Sequence, residues 1–334
     1  MRLFALIAAI VVAQLFTTAP LQASADPIVM KIGTATLNDT QHEWMKRYKA
    51  AVERDSKGRI EVQLYPASQL GSIPREIEAT QFGAIQGWVG PPEFLNGVDE
   101  RYQVLSAPGV FSTLAQAQRT AQDPAFNKLF LALGANKGLI GGAVWISGTN
   151  ALMMRKPVRH LADVKNLKIR ILAGPLQEGV MHVMGATGIP MPLDQVAPAL
   201  QQGAIDGIIT NVSTGAPLKY YTMAPYATEI DQPYIFSICV LSKIWYDKLS
   251  PDLQKIVSDD AGVTARDLLP FVNTFLKEQR AVWTAGGGEL ISLPPAEEAQ
   301  LLSSFAPIAD DVMKDKPAMF SMYNAMLAAR ARVK

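Results

Sequence analysis

The sequence predicts an α/β protein of two lobes with mostly parallel sheets. Three observations carry this. Short apolar runs, some with strict alternation such as Ile60, Val62 and Leu64, take turns along the chain with stretches of helical periodicity. The 334 residues exceed the usual size of one domain. A long apolar run, Tyr234 to Leu241, lies late in the chain, where a strand could cross back from a second lobe to the first.

The elements follow in order. Val29 to Ile32 reads as the first strand. Asn38 and Asp39 can cap a helix from about Thr40 to Arg54, and Trp44, Tyr48, Ala51 and Val52 fall on its buried face. Lys57-Gly58 ends that helix, and Ile60 to Leu64 completes a βαβ start. Ser72 and Pro74 open a helix that runs to about Phe82 and closes at Gly83. Ile85 to Val89 is a strand leading into the loop Gly90-Pro91-Pro92. Ser112 can cap a helix that Asp123-Pro124 interrupts and that resumes through Phe130. Leu139 to Ile146 is a buried strand, Gly148-Thr149-Asn150 a turn, and Ala151 to Met154 a further strand.

The second lobe is expected to begin here. Leu167 to Leu172 is a strand, Leu176 to Met184 a helix, and Asp194 can cap a helix through Gln202. Ala204 to Ile209 is a strand. Ser250-Pro251 starts a helix that runs towards Ala285, bent at Pro270 and stopped by Gly286-Gly287-Gly288. Pro295 opens the last helical segment. The expected division is 26–147 plus 236–276 for lobe I and 148–235 plus 277–334 for lobe II.

Residues 1–25 read as a secretory signal peptide. Arg2 precedes the charge-free run Leu3 to Phe16, and Ala23-Ser24-Ala25 is a small-x-small cleavage site. The chain has 31 Lys and Arg against 30 Asp and Glu. That balance argues against a nucleic-acid partner, which demands a basic surplus. Cys239 is the only cysteine, so no intramolecular disulfide can form, and its apolar surroundings make it a core residue. An exported, soluble, periplasmic protein fits these features. Enzyme signatures are missing. His42, His160 and His182 show no metal-ligand spacing, and no nucleophile elbow, phosphate loop or dinucleotide fingerprint occurs. No metal or cofactor is expected. Ligand capture between lobes is the more economical reading, because open α/β sheets place ligands at strand carboxyl ends and between domains.

Arg170 is the candidate anchor. It interrupts the apolar strand Ile169-Arg170-Ile171 just before the Gly174-Pro175 turn. A guanidinium there can hold a carboxylate by two parallel hydrogen bonds, or pair with an acidic neighbour in the same protein.

Ordered motifs then carry a resemblance. They are Pro66-Ala67-Ser68-Gln69-Leu70-Gly71, Leu161 through Arg170, Gly185-Ala186, Pro190-Met191-Pro192, Gly203-Ala204-Ile205-Asp206-Gly207 and Trp245-Tyr246-Asp247-Lys248-Leu249. The mature chain resembles the substrate-binding proteins of TRAP (tripartite ATP-independent periplasmic) transporters, of the dicarboxylate-binding type. The resemblance implies a two-lobe periplasmic binding protein with hinge strands and a long lobe-spanning helix. It also implies a bound organic-acid ligand, TRAP membrane permease subunits as partners, and a monomer. On the family pattern Arg170 is the carboxylate-binding arginine, Thr210 or Asn211 a second ligand contact, and Asn150 stands where sialic-acid-binding relatives carry another arginine. Trp88, Pro91, Trp145 and Glu93 lie on loops and strand ends near the same place. One arginine beside several aromatics points to a monocarboxylate with an apolar or aromatic body, such as an aromatic or 2-oxo acid. The alternatives are a C4-dicarboxylate, a receptor for an ATP-driven importer, and a periplasmic hydrolase or lyase.

Overall fold

Strands β1 (Ile28–Thr34), β2 (Ile60–Tyr65) and β3 (Gly87–Gly90) open the fold. They are followed by β4 (Leu139–Met154), β5 (Lys168–Ile171), β6 (Thr187–Pro190), β7 (Gly207–Thr210), β8 (Tyr226–Ser242) and β9 (Glu289–Ser292). The structure, a computed structural model, describes residues 26–333, so the expected leader lies outside the described residues. The strands join in the order β2-β1-β3-β8-β4-β7-β5-β6, with β9 on β8. β1 pairs in parallel with β2 and β3, and β5 pairs in parallel with β6 and β7. The resulting α/β fold is the two-lobe one that the sequence predicts.

β4 and β8 connect the lobes. They pair antiparallel from Leu139↔Ser242 to Met154↔Tyr226. In one lobe β8 pairs with β3 through Gly87↔Leu241 to Gly90↔Ile238. In the other, β4 pairs with β7 through Ala151↔Thr210 to Met154↔Gly207. The sequence reading expected a turn at Gly148-Thr149-Asn150. The strand instead continues through it, with register shifts between Ile146 and Gly148 and between Thr149 and Asn150. Bulges bend a strand without ending it, which turn-like residues alone cannot distinguish from a loop.

Local chemistry sets most helix boundaries. Asp39 caps helix Thr40–Asp55, its Oδ1 accepting from the backbone N–H of Gln41 at 3.0 Å and His42 at 3.1 Å. Thr113, not Ser112, caps helix Leu114–Ala121, accepting from Gln116 N at 3.0 Å. Asp194 caps nothing, because a short 3₁₀ turn over Leu193–Gln195 precedes helix Val196–Gln202. The expected long helix is two, Pro251–Arg266 and Leu269–Ala285. Pro270 has no N–H to donate to the Arg266 carbonyl, so the ladder stops there and restarts with proline in the first turn. The first of these helices packs on helix Thr40–Asp55 and β4, and the second also reaches β9 and the turn at Val212–Gly215, so the pair spans both lobes.

The C-terminal segment crosses back rather than staying on the second lobe. Helix Ile308–Met313 packs on helix Pro175–Val183. Helix Pro317–Arg332 then lies on the 3₁₀ turn Glu100–Ser106 and on helices Leu114–Ala121 and Pro124–Leu131. Arg332 Nε and Nη2 donate to Asp123 at 2.9 and 2.6 Å.

A separate apolar core sits under β1, β4 and β8 against helix Thr40–Asp55. Trp145 stacks on Trp44 at 4.8 Å between ring centroids, and Trp44 stacks on Tyr48 at 4.6 Å. Cys239 is buried in the same cluster. Trp145→Ala should therefore cost about 3–5 kcal/mol of stability, read as a lower urea midpoint. A smaller loss with weakened ligand binding would show instead that this indole serves the cleft.

Candidate functional site

The carboxyl ends of the parallel strands meet at a small, narrow cavity between the lobes. Ala35 and Thr36 reach it beyond β1, and Trp88, Val89 and Gly90 reach it from β3. Arg170 and Leu172 come from β5 and its end, and Thr210 and Asn211 from the end of β7. Ile235 of β8 closes the hinge side. Five residues singled out in the sequence therefore line one space: Arg170, Thr210, Asn211, Trp88 and Pro91.

Arg170 occupies the middle of the three parallel strands β6-β5-β7, opposite Ile189 and Ile208. Strand alternation sends Ile169 and Ile171 to one face and Arg170 to the other. The residue is fully buried. Its Nε–H donates to the Met191 carbonyl at 2.8 Å, while Nη1 and Nη2 bond no described residue. The guanidinium carbon lies 5.9 Å from the centroid of the Phe94 ring. Burial lowers the pKa of Arg170 to about 10, opposed by the nearby Tyr220, Glu93 and Asp194. The group remains a cation at neutral pH, aimed into a cavity with two donors unspent.

Asn211 caps the short helix Val212–Gly215, its Oδ1 accepting from Thr214 N at 2.7 Å. Only its amide N–H groups remain for other partners. Thr214 also reaches across the cleft, and its hydroxyl donates to Asp39 Oδ2 at 3.2 Å. Asp39 Oδ1 is occupied on its own side by the Thr36 hydroxyl at 2.8 Å and by two backbone N–H groups. Burial raises the Asp39 pKa, and these donors oppose it.

Three residues expected at the site lie elsewhere. Trp145 is in the tryptophan stack of the separate core. Asn150, just past the register shift that follows Thr149, donates to the Pro233 carbonyl at 2.6 Å and faces a different cavity beside helix Leu269–Ala285. Glu93 turns into the protein in the 3₁₀ turn Pro92–Leu95, where its Oε1 accepts from the Ser106 hydroxyl. Phe94, just beyond Pro92, lines the cavity too, and Gln41, Thr36, Ile73, Leu193 and Thr214 line it without having been selected. The strand-end rule, applied to β1 as well as to β5 and β7, would have pointed to Thr36 and its neighbours. Among the described residues no group of His, Cys, Asp and Glu is placed to hold a metal ion. No described helix is long and apolar enough to cross a membrane.

This architecture, a cavity between two lobes joined by shared strands, is that of a solute-binding protein. The chain belongs to the bacterial extracellular solute-binding protein family 7, whose model matches residues 33–316. It is a periplasmic solute receptor of the TRAP type. It is 27% identical over 302 residues to the C4-dicarboxylate-binding periplasmic protein DctP of Rhodobacter capsulatus, covering 87% of this chain and 88% of that one. It is 27% identical over 235 residues to the 2,3-diketo-L-gulonate-binding periplasmic protein YiaO of Escherichia coli, covering 69% and 71%. The fold matches a TRAP periplasmic solute-binding protein of Desulfovibrio salexigens with bound orotic acid, at a TM-score of 0.83 and 22% identity, over 90% of this chain and 99% of that one.

Two carboxyls are buried outside the cavity lining. Burial raises Glu93 and Glu76 each to about 7, from an ordinary 4.5. Glu76 packs so closely on Gly33 that a Cβ there would lie 3.0 Å from its carboxyl. A carboxyl that holds its proton more tightly when folded supports stability at low pH. That support is present below about 4.5 and is lost as pH rises through about 7, by at most roughly 3 kcal/mol per group. The melting temperature should accordingly fall between about pH 5 and pH 8, and Glu76→Gln should flatten that fall. An unchanged slope in the variant would assign the pH dependence to other groups.

Proposed function

We propose that this protein captures a small organic-acid anion between its lobes and hands it to a TRAP membrane permease, with Arg170 as the carboxylate anchor. The observation that carries this reading is the buried guanidinium of a cavity-lining residue whose Nη1 and Nη2 have no partner among the described residues. A desolvated charge left unpaired is costly by several kcal/mol, and an anion compensates it. The closed arrangement is then favourable mainly with ligand bound. Switching a two-state equilibrium from 1:99 to 99:1 takes about 5.5 kcal/mol of differential affinity, which a bidentate charge-assisted contact can largely supply. The stretch from Ile146 to Asn150, where the register between β4 and β8 shifts twice, is the place for closure to turn. The names of the relatives support an acid: C4-dicarboxylate for one and 2,3-diketo-L-gulonate for another.

The finer reading is a monocarboxylate with an apolar or aromatic body. Arg170 is the one charged side chain among the residues lining the cavity, beside Trp88, Pro91, Phe94, Ile73, Leu172 and Leu193. A C4-dicarboxylate would bring a second charge with no second cation to meet it. Thr210 and Asn211 contribute polar contacts beside the anchor.

Arg170→Ala should weaken binding of the co-purifying acid, identified by mass spectrometry, at least about tenfold in calorimetry while the fold persists. Unchanged affinity would refute the anchor. Thr214→Val removes the hydroxyl that joins the lobes at Asp39, and it should speed ligand release several-fold in stopped-flow fluorescence, with little change in the association rate.

A further inference from the structure

We infer that the wall of the cavity built from β1, β3 and the start of helix Thr40–Asp55 reads an uncharged hydrogen-bond acceptor on the acid, a carbonyl oxygen, through the amide of Gln41 and the indole N–H of Trp88. This rests on Arg170 holding the carboxylate from the other lobe. Gln41 is 4% exposed and lines the cavity. The Thr34 hydroxyl donates to its Oε1 at 2.9 Å, which fixes the orientation of the amide. Its NH₂ bonds no other described residue, so the free end of the side chain is a donor. Trp88 is fully buried on the same wall, and its Nε1–H has no partner among the described residues. Indole nitrogen donates and never accepts. The indole is seated over Gly90, where a Cβ would lie 2.3 Å from Trp88 Cζ2, so a larger residue at position 90 would displace it.

The charge behind this wall selects among acceptors. Asp39 accepts from the Gln41 backbone N–H at 3.0 Å and from the Thr36 hydroxyl at 2.8 Å, and both residues line the cavity. A second carboxylate on the ligand would meet neutral donors backed by a negative group. A carbonyl oxygen satisfies the same donors without bringing charge. A plain hydrocarbon acid leaves both donors buried and unpaired, and sites built to hydrogen-bond a substrate strongly reject analogues that lack the group. The class that fits is a monocarboxylate with an oxo group on its body.

Calorimetry on ligand-free protein tests this with matched pairs, levulinate against valerate and phenylpyruvate against hydrocinnamate, and with succinate. In at least one pair the oxo acid should bind at least about tenfold tighter than its partner. Gln41→Met or Trp88→Phe should shrink that advantage about fivefold or more, while the carbonyl-free acid changes less than about twofold. Thr34→Val, outside the cavity lining, frees the amide to turn and should shrink the same advantage, which guards against misfolding of the other variants. No oxo preference in the wild type, a preference that survives in all three variants, or succinate binding more tightly than every oxo acid would overturn the inference. Arg170→Ala should weaken both members of a pair alike. Acids that bind equally well without Arg170 would overturn the anchor reading itself.

Discussion

The antiparallel pairing of β4 with β8 is the constraint on which the rest of the structure depends. Its register runs from Leu139↔Ser242 to Met154↔Tyr226, so two strands serve as edges for two groups of parallel strands. β1–β3 attach at one end and β5–β7 at the other, which aims both sets of carboxyl ends at one cavity. The kinks at Gly148 and Asn150 fall between the two attachments. A bulge there costs little, because each half keeps its own ladder. The broken helix pair Pro251–Arg266 and Leu269–Ala285 crosses between the halves as well, and so does the C-terminal segment as it passes from helix Ile308–Met313 to helix Pro317–Arg332.

Against that frame the cavity is electrostatically lopsided. One cation, Arg170, is held by a single backbone acceptor on its lobe. The facing lobe presents neutral donors in front of a buried carboxylate. Asp39 links the two sides through Thr214, so the same side chain caps a helix, organises the far wall and touches the opposite lobe. Burial shifts Arg170 down and Glu93 up, each towards its neutral form, and each opposes the other's shift. The site is therefore sensitive to any charge brought into it, which is the physical basis for selecting a ligand by charge.

Much of this was legible in the residues. Alternation at Ile60, Val62 and Leu64, the Asp39 cap and the apolar run before Leu241 reported local preferences that the tertiary structure left intact. Arg170 was legible because a charge between two isoleucines on a buried strand requires a partner. The short strands β6 and β9 were not legible: Thr187-Gly188-Ile189-Pro190 and Glu289-Leu290-Ile291-Ser292 hold too few apolar residues to read as a buried run.

The sequence by itself determined the α/β alternation, the family and the out-of-pattern arginine, since each depends on neighbours along the chain. Only the tertiary structure decided which side chains meet at the cavity. Trp88 and Trp145 read alike as aromatics near strand ends, yet one lines the cavity and the other stacks on Trp44. Asn150 left the site because the register with β8 shifts just before it, and Gln41 entered it because helix Thr40–Asp55 begins at the end of β1. Strand facing, bulge position and cross-lobe register are set by contacts between residues far apart in the chain, and no local pattern encodes them.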